Sequence, residues 1–231
     1  MSQTTHNTGL LTVVLVHGAY ADASNWNGVI ERLQARGVQV TAPANPLRGL
    51  ASDSAYLASF LNQIGGPVLA VGHSYAGAVI TNAATQASNV VGLVYVESGS
   101  KDSVLSSALV PLKYPTGQGT ETAVEFAVNP ARFHEAFAAD LSAEQAAIMA
   151  ATQRPVAEGA FSEPSGVPAW KTLPAWAVVA SGDKAAGSDV IRSMARRAGA
   201  TITEVEGSHV IMISQPQAVT DVILSAVAAV S

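Results

Sequence analysis

Apolar residues along the chain fall into short blocks with a regular rhythm. Leu11–Val16, Val38–Ala42, Pro67–Gly72, Val91–Val96, Ala175–Ser181 and Ala200–Val205 are rich in Val, Leu and Ala. Most show no alternation of polar with apolar positions, which is how parallel strands covered on both faces read. Between them lie stretches with helical periodicity. Asn25–Arg36 spaces Trp26, Val29, Ile30 and Leu33 along one face, with Gly37 placed to end the helix. Ser52–Ile64 carries Tyr56, Leu57, Phe60 and Leu61 in the same way, and Tyr75–Gln86, Asp189–Ala198 and Gln215–Val230 also fit helices. Pro216 suits the first turn of the last one. Strands alternating with helices of this length predict βαβ units: an α/β fold with a mostly parallel six-stranded sheet and helices on both faces.

One segment breaks the rhythm. Ser98–Pro174 has no core-strand pattern, and its flanks, Lys101–Gly119 and Phe161–Leu173, are rich in Pro, Gly and Ser. Between the flanks, Pro130–Ala139 and Ser142–Thr152 predict two short helices, the second opened by a capping box of Ser142 and Gln145. Because the strand pattern resumes at Ala175, this is a helical insertion after the fourth strand of a single domain spanning residues 1–231.

Composition narrows the function classes. Of 231 residues, 48% are hydrophobic and only 13% charged, so the chain can bury a large core. A net charge of -5 offers no basic field for nucleic acid or anionic lipid. With no cysteine there is no disulfide scaffold, zinc-thiolate site or cysteine nucleophile. Mean hydropathy is positive, yet no apolar run approaches the roughly 18–20 residues that span a bilayer. Met1–Gly9 is polar, without the basic and apolar regions of a signal peptide. The expectation is a soluble cytoplasmic protein, monomer or homodimer, with no nucleic-acid or membrane partner.

The most informative stretch is Val68-Leu-Ala-Val-Gly72-His-Ser74-Tyr-Ala76-Gly77. An apolar strand runs into a tight turn with Ser74 at its apex, and a helix of small residues follows. Such a turn projects a serine hydroxyl above the sheet edge, and small neighbours let strand and helix approach closely. The helix start offers the Tyr75 N–H and a positive dipole end to a developing oxyanion. Read alone, the same turn could hold a nucleotide phosphate, but a dinucleotide site needs Gly-x-Gly-x-x-Gly and a later acidic residue, and neither is present. His17-Gly18-Ala19-Tyr20 after the first strand fits a second oxyanion loop with the Ala19 N–H as donor, His17 bracing it.

A serine nucleophile needs a base, and the base an orienting carboxylate. His6 lies in a polar tail, His73 inside the elbow facing away from Ser74, and His134 on an insertion helix. His209 follows the last strand, at the same sheet edge as Ser74, and is the candidate base. Asp183 follows the fifth strand and is the candidate acid, with Glu97 after the fourth strand as its rival.

On Leu15-Val16-His17-Gly18-Ala19, Val71-Gly72-His73-Ser74-Tyr75-Ala76-Gly77, Leu93-Val94-Tyr95-Val96, Ser181-Gly182-Asp183 and Gly207-Ser208-His209, nearly the whole chain resembles the α/β-hydrolase superfamily. The likeness is to its small six-stranded members related to plant methylesterases and hydroxynitrile lyases. It implies Ser74 as nucleophile, His209 as base, Asp183 as acid, the Ala19 and Tyr75 amides as oxyanion hole, and Ser98–Pro174 as a cap over the pocket. Ala76 stands where a second elbow glycine is usual, and Glu97 is a charge where a small apolar residue is frequent.

The resulting expectation is a serine esterase, with no metal or cofactor, cleaving small to medium neutral carboxylic esters through an acyl-enzyme. Trp170, Phe161, Phe133, Phe137, Met149 and Tyr114 supply apolar bulk in the insertion, and Tyr20 and Trp170 are candidate substrate contacts. Lactone opening, cyanohydrin cleavage or perhydrolysis on the same triad, and a non-catalytic small-molecule binder, are the alternatives. A lyase would add a pocket lysine, for which Lys101, Lys113, Lys171 and Lys184 are available.

Overall fold

The computed structural model describes residues 9–98, 104–117 and 119–231; His6 and Lys101 lie outside these. All six predicted blocks are strands of one sheet. They are β1 (Thr12–Val16), β2 (Gln39–Thr41), β3 (Val68–His73) and β4 (Val90–Val96), followed after the insertion by β8 (Ala175–Ala180) and β9 (Thr201–Val205). The order is β2-β1-β3-β4-β8-β9, and every pairing is parallel. The central strands β1, β3, β4 and β8 are buried almost throughout, as their unbroken Val, Leu and Ala content requires, whereas the edge strands β2 and β9 leave positions to solvent.

The crossovers are helical. A short 3-10 turn (Ala23–Trp26) leads into α1 (Asn27–Gln34), which Gly37 ends in the left-handed conformation at φ 72. Then come α2 (Leu50–Asn62) and α3 (Ala76–Ala83), and beyond the insertion α8 (Ser188–Arg197), α9 (Ile211–Ser214) and α10 (Pro216–Val230). Helix α1 packs with α10 and α2 with α3, and both α3 and α10 reach β3 and β4. Among the described residues no helix is long and apolar enough to cross a membrane.

The insertion is not helical throughout. It holds α4 (Val104–Ala108), α5 (Pro130–Phe137), α6 (Ala143–Thr152) and α7 (Gly159–Ser162), and also an antiparallel sheet of β5 (Leu109–Pro115), β6 (Thr122–Val128) and β7 (Val156–Ala157). The hairpin β5–β6 is largely exposed, so it lacks the continuous apolar run that marks the core strands. Its signal was Val124, Phe126 and Val128 alternating with Ala123, Glu125 and Ala127, after a loop with two glycines. The predicted capping box at Ser142 is present, with reciprocal bonds between Ser142 and Gln145. Arg48 ties the insertion to the core: it ion-pairs with Glu125 at 2.8 Å, donates to the Pro155 carbonyl and lies 4.7 Å over the Tyr114 ring.

Candidate active site

Because all six strands are parallel, their C-terminal ends share one edge of the sheet. The strand order reverses between β1 and β3, where an open α/β sheet leaves a crevice. The turns after β1, β3, β4, β8 and β9 supply the polar residues of the site.

Ser74, after β3, has φ 52. A left-handed serine at a strand-to-helix turn is strained, and such strain concentrates at functional sites. Its N–H bonds to the Val96 carbonyl at 2.9 Å, holding the turn to β4. The tightness of the corner dictates small neighbours. A Cβ on Gly72 would lie 2.6 Å from the Ala76 carbonyl oxygen, and one on Gly18 would meet both the His73 carbonyl oxygen and Ser74 Cβ at 2.8 Å. Ala76 fills the second elbow position and is fully buried.

Ser74 Oγ lies 2.9 Å from His209 Nε2, and His209 Nδ1 lies 2.8 Å from Asp183 Oδ2. An ionised carboxylate only accepts, so Nδ1 carries the proton and Nε2 is left bare toward Ser74. Asp183 Oδ1 accepts the Ala185 N–H at 2.6 Å and the Ala186 N–H at 3.1 Å. Burial alone would raise the Asp183 carboxyl. The attraction of His209 and its hydrogen bond, with Glu97 and the Ala186 N–H, outweigh it and hold the group below the usual carboxylate range.

Of the two candidate acids, Asp183 is therefore the one bonded to the histidine. Glu97 stands behind it, fully buried, its carboxylate accepting the Ala180 N–H. Carboxylate oxygens of Glu97 and Asp183 and a His209 ring nitrogen lie within 4.8 Å of one another. This set does not fit a tetrahedral zinc ion. Tetrahedral ligands of zinc, at about 2.0–2.2 Å from the metal, stand roughly 3.4 Å apart, whereas the 2.8 Å between Asp183 and His209 is a direct hydrogen bond.

The other histidines support the site. His73 donates from Nε2 to the His209 carbonyl at 2.9 Å, its ring centroid 4.9 Å from that of His209. Its role in propping the His209 backbone was not legible in the sequence. Burial, then repulsion from His209, keeps His73 far below the ordinary histidine value. His17 braces the first loop: Nδ1 donates to the Gly18 carbonyl at 3.0 Å, and Nε2 accepts the Asn45 N–H at 2.8 Å. His134 bonds to the Leu141 carbonyl on the insertion. Asp140, also from the insertion, accepts the Ser208 N–H at 2.7 Å and the Ser208 hydroxyl, gripping the loop that carries His209.

Ser74 and His209 open into a cavity of about 480 Å³. Ala19 and Tyr75 line it beside Ser74, and no acceptor among the described residues takes either backbone N–H. Tyr20 lines it too; its φ is 59, and its buried hydroxyl has no partner among the described residues. The insertion contributes Phe137, Phe161 and Trp170 to the wall, with Phe137 edge-on to the His209 ring at 5.0 Å. Phe133 and Met149 pack into the core instead, and Tyr114 lies under Arg48. Glu163 and Arg197 are the acidic and basic side chains on the wall among the described residues. Lys113, Lys171 and Lys184 are exposed and off it.

Comparison with known proteins agrees with this architecture. The model of the alpha/beta hydrolase family matches residues 13–222, and the chain belongs to that family. Among solved structures it is similar to polyneuridine aldehyde esterase (16% identity, TM-score 0.78, covering 94% of this chain and 99% of that one). It is similar as well to a methylesterase from Arabidopsis (20%, 0.78, 95% and 99%) and to a pyrethroid hydrolase (20%, 0.72, 96% and 99%). At these identities the likeness is one of fold. No curated protein matches the sequence significantly.

Proposed function

We propose that the protein is a serine hydrolase of small to medium neutral carboxylic esters, with Ser74 as nucleophile, His209 as base and Asp183 as acid. Its main support is the continuous hydrogen-bonded path from Ser74 Oγ through His209 to Asp183 at the mouth of an apolar cavity. His209 Nε2 takes the Ser74 proton as Oγ attacks the ester carbonyl carbon. The Ala19 and Tyr75 N–H groups receive the oxyanion. Collapse of the tetrahedral intermediate expels the alcohol, protonated by His209, and leaves an acyl-serine. His209 then removes a proton from water, which attacks the acyl carbon, and the carboxylic acid leaves as the Ser74 hydroxyl is restored. Asp183 holds the Nδ1–H tautomer and offsets the imidazolium charge. No step calls for a metal or organic cofactor.

The insertion serves as a cap, and its aromatic side chains with Tyr20 form an apolar wall against the substrate. Tyr20 and Trp170 are the substrate contacts this reading assigns. A cavity of this size and polarity suits neutral acyl and alcohol groups.

Treatment with a fluorophosphonate, followed by peptide mass spectrometry and a series of p-nitrophenyl ester assays, tests the reading. The expected result is labelling at Ser74 that disappears in Ser74→Ala and His209→Ala, with ester turnover lost in parallel. Asp183→Asn should cost about 10⁴ in rate, as loss of an orienting carboxylate does elsewhere. Absence of both labelling and turnover would leave a binding protein on this fold.

A further inference from the structure

Glu97 lies against the triad, and acyl transfer as described gives it no task. Several observations fix its surroundings. It follows β4 in the left-handed conformation, at φ 49, one of four non-glycine residues so placed among those described; Ser74 and Tyr20, both at the site, are two others. Its N–H bonds to the Val178 carbonyl at 3.1 Å, and its Oε1 accepts the Ala180 N–H, so both backbone and side chain are fastened to β8. Its Oε2 is buried and meets no donor among the described residues. A bare carboxylate oxygen in a dry site is costly, but a protonated one is a hydroxyl that needs an acceptor.

The acceptor is at hand. Two carboxyl groups sharing a buried site cannot both ionise cheaply, so the pair retains a proton. Among the described residues, Asp183 already receives three N–H donors, from Ala185, Ala186 and His209, whereas Glu97 receives one. The better-solvated charge belongs on Asp183 and the proton on Glu97.

We propose that Glu97 is a positioning residue for the serine hydrolase chemistry, present as the neutral acid and donating its O–H from Oε2 to the Asp183 carboxylate. This rests on the triad assigned above. The fourth donor saturates Asp183, resists rotation of its carboxylate plane and draws charge away from the oxygen facing His209. Asp183 then holds the imidazolium less tightly than a bare aspartate would. Burial, then the hydrogen bond and charge of Asp183, push Glu97 well above the usual carboxylate range, consistent with this placement of the proton. Among the described residues, the titratable groups around Glu97 are Asp183 after β8, His209 after β9 and Asp140 from the insertion.

The test compares full-length wild type, Glu97→Met, Glu97→Gln and Asp183→Asn in two ways. The first is the pH profile of fluorophosphonate labelling. The acidic limb should move up by about one pH unit in Glu97→Met, slowing labelling below the limb about tenfold. Glu97→Gln, whose amide N–H replaces the acid proton, should recover most of that shift. An unmoved limb in a folded Glu97→Met would make Glu97 merely structural and overturn the proposal. The second is the infrared difference spectrum of wild type minus Glu97→Gln at neutral pH, which should contain the C=O stretch of a protonated carboxylic acid. A carboxylate band in its place overturns the proposal. If Glu97→Gln abolishes labelling while Asp183→Asn retains it, Glu97 is the triad acid and both assignments fall. If wild type is not labelled at all, the serine hydrolase reading fails, and the infrared band still decides where the proton sits.

Discussion

At the scale of single residues, the site is built from tolerances of a few tenths of an ångström. Ser74 reaches His209 because its backbone accepts a left-handed turn, and that turn leaves no room behind it. Gly18 is the clearest case, since an added Cβ would press on backbone of the elbow and on Ser74 itself. Gly18→Ala should therefore destabilise the fold by about 1–3 kcal/mol, the range for overpacking a filled site, and should slow labelling of Ser74. A denaturant midpoint and a labelling rate check the two effects. A variant with wild-type stability and rate would show that the loop yields freely. The residue types of the site were legible from sequence because each stands just past a core strand. Parallel strands deliver their C-terminal turns to one edge, so chain position alone brought Ser74, Asp183 and His209 together. Chain order favoured Asp183 over Glu97, but both follow neighbouring strands, and only the side-chain distances separate them.

At the scale of elements, what the sequence revealed depended on burial. The six core strands and their helices were readable because complete burial leaves unbroken apolar runs. The hairpin β5–β6 is mostly exposed, and Pro111, Lys113 and Tyr114 interrupt its pattern. Long-range ties were invisible for a different reason: they join residues far apart in the chain. Asp140 is one. Its carboxylate takes both the N–H and the hydroxyl of Ser208, so the insertion holds the loop next to His209. Asp140→Ala leaves the Ser208 N–H without this partner and should cost about 1–3 kcal/mol, with slower labelling of Ser74. Ser142→Ala, nearby but outside the site, should cost about 1 kcal/mol through its helix cap alone and leave labelling as it is. Equal effects of the two substitutions on labelling would show that Asp140 acts only through stability.

For the whole molecule, buried titratable groups set the response of stability to pH. Burial is the main cause that lowers both His17 and His73 from their ordinary value. A depressed folded value means the unfolded chain binds more protons, so their contribution is present above about pH 6.5 and lost as the pH falls below it. Glu97 runs the other way. Its raised value gives a contribution that is full below about pH 4.3 and lost as the pH rises toward its folded value. Between about pH 7.5 and 5 the two terms oppose each other, and comparison with a variant isolates the histidine. The urea midpoint of His73→Asn should fall less over this interval than that of wild type. An identical fall in both would show that His73 titrates in the folded protein as it does in the unfolded chain.

The sequence by itself determined the sheet, its crossovers and the edge at which the chemistry gathers. Those follow from local periodicity and from the rule that parallel strands point one way. It also supplied Ser74, His209 and Asp183 as candidates for nucleophile, base and acid, since a serine at an elbow constrains what must stand near it. Only the tertiary structure decided which carboxylate meets His209, where His73 and Asp140 brace it, and that Glu97 lies against Asp183 with one oxygen unpaired among the described residues. Those are contacts between segments up to 136 residues apart. Packing sets their distances to fractions of an ångström, and no local pattern along the chain encodes them.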